Sequence, residues 1–170
     1  MPSIIITALS VVILAFALVA GTNFVNPSLQ SRTEVSRVLG AQYAAISSAI
    51  ASYKVENQGV RPTSLDDVRG YVAAGAIDGF GHRSKSFAWS IREIDGGRSS
   101  LCLSYVAGTE TDYGSFMGLQ RFVVDIEEQR PGRVSLSRTC TAAAIDLPLG
   151  KVADHLSAQN ADLAIRFEDR

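Results

Sequence analysis

A charge-free apolar run from Ile4 to Ala20 leads, past Pro27, into a second stretch whose apolar residues recur at helical spacing. The run must be held in a bilayer, removed, or buried in a core. Crossing a bilayer takes roughly 20 mostly apolar residues, with about 17 the lower limit. Ile4, Ile5, Ile6, Leu9, Val11, Val12, Ile13, Leu14, Phe16, Leu18 and Val19 supply the apolar surface, and Gly21, Thr22, Phe24 and Val25 can extend it. Thr7 and Ser10 are its polar side chains, and such hydroxyls can bond back to carbonyls of their own helix. A removable signal peptide is the competing reading. In the sequence as it stands, no Lys or Arg precedes the run and no A-x-A site follows, Val19-Ala20-Gly21 being the nearest approach. The expectation is a retained transmembrane anchor over residues 1–25 and a folded domain over 26–170.

The second stretch has a face of its own. Leu39, Tyr43, Ile46, Ile50 and Tyr53 are spaced four, three, four, three, which stacks them on one side of a helix. Val35 and Val38 extend that side upstream, whereas Ser36, Arg37, Gln42, Ser47, Ser48, Ser52 and Lys54 suit water. Too few heptads are present for a coiled-coil seam, so the stripe is expected to lie on the chain's own domain. Pro27 fits a first helical turn or a kink near a membrane surface.

Lys plus Arg is 16 and Asp plus Glu is 17, a net charge of −1. That balance argues against nucleic acid as the main partner, because phosphate binding needs a basic face. Cys102 and Cys140 are the two cysteines, too few for a disulfide scaffold or a zinc cage. An even pair beyond an anchor favours a Cys102–Cys140 disulfide in an oxidising periplasm; free thiols in a cytosolic domain are the alternative. Arg32 and Arg37, close after the run, tilt the positive-inside count towards the cytoplasm. The bias is small, and the cysteine pair outweighs it.

Further along, Asn57-Gln58-Gly59 should end the long helix. After Pro62, Thr63 or Ser64 can cap a short helix to about Ala74, with Asp66 and Asp67 favourably placed in its first turn. Gly75 to Ser84 reads as a loop. Phe87–Ile94 and Ser100–Val106 read as strands joined by a hairpin signal at Asp95-Gly96-Gly97-Arg98. Thr109–Ser115 reads as a polar loop, Phe116–Val124 as a short helix with Phe122–Val124 open to a strand reading, and Val134–Arg138 as a strand. Leu149, Val152 and Leu156 suit a helix, and Leu163, Ile165 and Phe167 alternate like a closing strand. The sum is an α+β fold, a long N-terminal helix packed on a small antiparallel sheet.

The segment Tyr53-Lys54-Val55-Glu56-Asn57-Gln58-Gly59-Val60-Arg61-Pro62-Thr63-Ser64-Leu65-Asp66-Asp67-Val68 resembles the helix exit of type IV pilin-like proteins, the pilins, minor pilins and pseudopilins of type II secretion. The layout resembles theirs over most of the chain. The resemblance implies an apolar helix half, an amphipathic half laid on a sheet, and a C-terminal disulfide closing a loop, here Cys102 with Cys140. Pilins carry a basic leader and a Glu early in the mature chain. Here Ile5 stands at that position, with Ser3 and Thr7 beside it, so no acidic side chain is there to register a subunit in a filament. The resemblance is therefore nearest to the PilM family of type IVb thin-pilus biogenesis proteins, small inner-membrane proteins with one N-terminal span.

Catalytic patterns are thin. His82 and His155 stand on separate segments, and no H-E-x-x-H, Walker or C-x-x-C pattern occurs. Gly79-Phe80-Gly81 lacks the third glycine of a dinucleotide fingerprint. Gly114-Ser115-Phe116-Met117-Gly118 has its Ser one residue off a nucleophile elbow, and it lacks the apolar surround of a membrane helix motif. Asp66 with Asp67, and Glu127 with Glu128, are sequence neighbours that point apart, so they read as helix-start and solvated charges. Phe80, Phe87, Trp89 and Tyr113 read as core aromatics rather than a binding surface.

The expected function is that of a structural or assembly component of a type IV pilus or related secretion machine. It would be single-pass in a bacterial inner membrane, with its domain in the periplasm and pilus or secretion assembly proteins as partners. No cofactor, metal or small-molecule substrate is expected. The alternatives are a filament-incorporated minor pilin or pseudopilin, and an anchored periplasmic binding protein or enzyme.

Overall fold

The computed structural model describes residues 27–78, 80–82, 85–94, 98–106, 112–159 and 162–168. The expected anchor, Ile4 to Ala20, lies outside them. Among the described residues no helix is long and apolar enough to cross a membrane.

Helix α1 spans Pro27–Glu56, 30 residues and about 45 Å at 1.5 Å per residue. Pro27 opens it, where a missing backbone N–H costs nothing. Five alanines between Ala41 and Ala51 favour the helical state. Its end is capped several ways. Asn57 Nδ2 donates to the Tyr53 carbonyl (2.9 Å), and the Gly59 N–H donates to that of Lys54 (2.7 Å). Gly59 takes the left-handed conformation, φ 86°.

Helix α2, Leu65–Val68, is a single turn held by a capping box. The Asp67 carboxylate accepts from the backbone N–H of Thr63 (2.8 Å) and Ser64 (2.9 Å), and the Ser64 hydroxyl accepts from the Asp67 N–H. The Ser64 and Thr63 N–H groups hold the Asp67 carboxyl below the usual carboxylate range. A 3-10 turn, Arg69–Tyr71, follows, and Val72 is extended. The helical run stops three residues short of Ala74. Gly70 lies inside it, and Gly75, at φ 80°, folds the next residues into turns.

The sheet contains β1 (Phe80–His82), β2 (Lys85–Ile94), β3 (Arg98–Val106), β4 (Val134–Ser137) and β5 (Leu163–Glu168), in the order β1-β2-β3-β5-β4, with every neighbour antiparallel. Strand β1 falls inside the Gly75–Ser84 segment expected as loop; three residues around a glycine are too short to alternate visibly. Register stacks the apolar residues in rows. Ile91, Leu101, Phe167 and Val134 form one row, Trp89, Leu103, Ile165 and Leu136 the next, and Phe87, Tyr105 and Leu163 a third. The intervening residues, Ser90, Cys102, Arg166 and Ser135 among them, point to the other face.

Helix α3 spans Tyr113–Gln129, and Phe122, Val123 and Val124 are helical within it. It begins three residues before Phe116 because Asp112 caps it, accepting from the Gly114 N–H (3.1 Å) and the Ser115 hydroxyl (2.6 Å). It carries the chain from β3 past β5 to β4. A 3-10 turn, Leu149–Lys151, leads into α4, Val152–Gln159. The Gln120 side chain accepts from the Ala153 N–H (2.9 Å), tying α4 to α3.

Helices α1 and α3 lie on the apolar face of the sheet and run in the same direction. Four rings lock them there. Tyr43 from α1, Phe122 from α3, Trp89 from β2 and Phe167 from β5 are in mutual contact, every pair of centroids 4.9 to 6.3 Å apart. The Trp89 indole N–H donates to Gln42 Oε1 (2.9 Å), so the polar atom of the largest ring is satisfied. Leu39, Ile46, Val35 and Ala49 fill the α1 side of the core.

The two helices touch most closely at Gly114 and Gly118. A Cβ on Gly118 would stand 2.6 Å from the Arg32 carbonyl oxygen and 2.9 Å from Val35 Cβ; one on Gly114 would stand 2.8 Å from Ser28 Cα. These glycines one turn apart let the backbones meet. Gly40, on the same α1 helix, has nothing within 4 Å of such an atom.

Gly118→Ala should lower stability by about 1–3 kcal/mol, the usual cost of overpacking. Gly40→Ala should raise it by about 0.5–1 kcal/mol through helix propensity. Urea unfolding of the pair checks both, and equal effects would contradict the close crossing. A second expectation concerns Tyr105, which is 1% exposed with no hydrogen-bond partner for its hydroxyl. Burial, with Asp162 and Asp112 nearby, pushes its pKa from 10 up to about 12. The folded state therefore favours the neutral phenol. That contribution is whole below pH 10 and is lost as pH rises through about 12. Tyr105→Phe should leave the melting temperature at pH 7 unchanged or slightly higher, since no partner is stranded, and should flatten the loss of stability above pH 10.

Candidate functional site

The long helix places its five stripe residues unequally. Leu39 and Ile46 are fully buried, whereas Tyr43, Ile50 and Tyr53 are half-buried and pack on the edge of the core. Tyr53 stands edge-on to Tyr71, centroids 6.1 Å apart, and the Tyr71 hydroxyl donates to Glu56 (2.6 Å). That hydrogen bond raises the Tyr71 pKa. The Tyr53–Val68 segment and Tyr71 thus form one closed unit, a helix end, two tyrosines and a capped turn.

The opposite side of α1 is smooth. Ala41, Ala44, Ser48, Ala51 and Ser52 are exposed there, with few long side chains among them. Beyond the Gly118 crossing the helices part and leave a groove of about 530 Å³. Gly40, Ala44 and Ser48 line it from α1, and Phe122, Ile126 and Gln129 from α3. Nearer the start of α1, Leu29 is 57% exposed, beside Thr33 and Arg37.

Cys102 and Cys140 are joined, with Cα atoms 5.9 Å apart. Cys102 lies on β3, on the face turned away from the helices, and is wholly buried. The Cys140 sulfur sits 3.2 Å from the Ser104 hydroxyl and 3.7 Å from that of Ser90. The segment after β4 therefore crosses the outer face of the sheet as far as its middle strand. It then returns to the edge, where Ala144 bridges Ser137 and the Ile145 N–H donates to Leu136 (2.7 Å).

The side chains considered for catalysis are scattered. His155 is half-buried on α4, and the His82 side chain lies outside the described residues. Asp112 and Asp67 cap helices. The Glu127 carboxylate accepts from the backbone N–H of Gly132 (2.6 Å) and Val134 (3.2 Å), so it holds a turn rather than simply facing water. Tyr113 is half-exposed, and its hydroxyl donates to Asp154 (3.1 Å), which raises its pKa. Trp89 and Phe87 are in the core. Among the described residues no group of three or more His, Cys, Asp or Glu could hold a metal ion.

The disulfide closes a 38-residue separation, so its loss should cost roughly 2–4 kcal/mol. Cys140→Ser should lower stability by that amount while the sheet's circular dichroism persists. Faster proteolysis between Arg138 and Leu147 should accompany it. An unchanged unfolding midpoint would contradict a stapling role.

No family model matches this chain, and no curated protein or solved structure is significantly similar to it.

Proposed function

We propose that this protein is a membrane-anchored structural component of a type IV pilus, of the type IVb kind, or of a related secretion machine. The apolar run Ile4–Ala20 is the anchor and the pilin-like domain from residue 26 stands in the periplasm. One observation carries the reading. A 30-residue helix starts at Pro27, directly after the apolar run, and is locked along one side to a sheet and a second helix. A rod fixed in a domain and continuous in sequence with an apolar segment suits transmission between membrane and assembly. The Cys102–Cys140 disulfide supports an oxidising compartment. The closed Tyr53–Val68 unit supports the resemblance to pilin-like proteins.

A second reading, a minor pilin built into the filament, is favoured by the groove between α1 and α3. Its Gly40, Ala44 and Ser48 side is smooth enough for a neighbouring helix to approach.

Fractionation separates the readings. The protein should stay in the inner-membrane pellet through alkaline carbonate washing and through shearing of the cells. Replacing residues 1–25 with a cleavable secretory signal peptide should release it to the periplasm. Recovery with sheared filaments would establish the minor pilin instead. A native chain that is freely soluble and trimmed near Gly21 would overturn both.

A further inference from the structure

Five large hydrophobic side chains are exposed among the described residues, and they fall at the two ends of the domain. Leu29 (57% exposed), Tyr113 (49%) and Val106 (47%) lie at the end where α1 starts, and Val55 and Val60 lie where it finishes. Single exposed apolar residues are ordinary on any surface. The placement of the first three is not scattered. A Cβ on Gly114 would stand 2.8 Å from Ser28 Cα, so Tyr113 opens α3 within a turn of Leu29. The Tyr105 ring meets that of Phe116 in the first turn of α3, centroids 6.0 Å apart. Val106, the next residue of β3, is therefore carried to the same level.

At that one level the three side chains take three sides. Leu29 is on α1 beside Thr33. Tyr113 turns towards α4, where its hydroxyl donates to Asp154 (3.1 Å). Val106 alternates with Tyr105 and so belongs to the outer face of the sheet. Together they form a collar around one end of the domain. A partner seated in a groove would cover one side. A surface lying across the axis of α1 meets all three.

The sequence supplies such a surface if the apolar run is an anchor, the reading on which this inference rests. Val25 closes the apolar stretch two residues before Pro27, and two residues span at most about 7 Å in any conformation. So short a tether leaves the domain no room to stand clear of the bilayer. We propose that the collar is seated in the lipid interface, with the domain end-on and α1 and α3 rising from it. Tyr113 suits that depth, since a tyrosine ring is apolar and its hydroxyl polar. Val55 lies 26 residues beyond Leu29 on the same helix, about 39 Å along it, and stands in water.

Spin labels read these depths. Cys102 and Cys140 are bonded to each other, so an introduced cysteine is the single free thiol. Leu29→Cys, Val106→Cys, Tyr113→Cys, Val55→Cys and Val60→Cys each alter an exposed position, so the label displaces no core contact. Val12→Cys reports the anchor. Each full chain is labelled and placed in vesicles of phosphatidylethanolamine and phosphatidylglycerol. Power saturation then compares relaxation by oxygen, which concentrates in lipid, with relaxation by a water-soluble nickel chelate. Nickel should reach positions 29, 106 and 113 severalfold less than positions 55 and 60, and position 12 least of all. Protection at position 29 alone would overturn the collar, because any tethered chain shields its first turn. Equal nickel access at 29, 106, 113, 55 and 60, with position 12 protected, would overturn it and leave the anchor standing. Nickel reaching position 12 as well would overturn the anchor and the collar together.

Discussion

Four aromatic rings hold this fold together. Tyr43, Phe122, Trp89 and Phe167 come from four separate elements, and each touches the other three. Removing any one would leave a cavity where α1, α3, β2 and β5 meet, and large-to-small changes in a core cost about 3–5 kcal/mol for an aromatic residue. The cluster also fixes register. A one-residue slip of β2 or β5 would turn Trp89 or Phe167 to the outer face and leave Gln42 without its indole donor. The glycine crossing depends on the cluster in turn. Gly114 and Gly118 allow α3 to approach α1, and the rings one to two turns further on wedge the helices apart into a groove.

The two faces of the sheet are finished by different means. The apolar face is covered by two helices through burial of Leu101, Leu103, Ile165 and their neighbours. The outer face carries serines, Cys102 and Arg166, which offer little hydrophobic gain. There a covalent bond from Cys140 draws the segment after β4 across the strands. A short polar segment loses much conformational entropy when it lies on such a surface, and cross-linking reduces that loss by restricting the unfolded chain.

Periodicity made much of this legible in the sequence. The four-three-four-three spacing from Leu39 to Tyr53 identified α1, the hairpin signal at Asp95–Arg98 paired β2 with β3, and period-two alternation identified β4 and β5. Two cysteines allow a single intrachain pairing, and that pair is bonded. The misses have local causes. The start of α3 looked like loop because Tyr113-Gly114-Ser115 holds a glycine and a serine where a helix former was expected. Those small residues are there for the neighbouring helix, which no local window contains. Strand β1 is too short to alternate. Glu127 looked solvated because its partners, the backbone of Gly132 and Val134, are unreadable from side-chain chemistry. The cleft of about 220 Å³ between α1 and the sheet, walled by Tyr43, Ile50, Ile91, Leu101 and Phe167, was illegible altogether, since its residues come from separate segments and match no motif.

Why the cleft exists follows from where the elements stop. Helix α3 ends at Gln129, and the turn at Pro131-Gly132 swings the chain to the sheet edge at Val134. Helix α1 runs on to Glu56, past the end of α3, and among the described residues only the single turn of α2 and Tyr71 lie beside its last turns there. Ile50 is half-buried there, while Leu39, Ile46 and Ala49, turned inward, are covered. Packing alone would be served by one more turn of α3 or by a bulky side chain in place of Ser47.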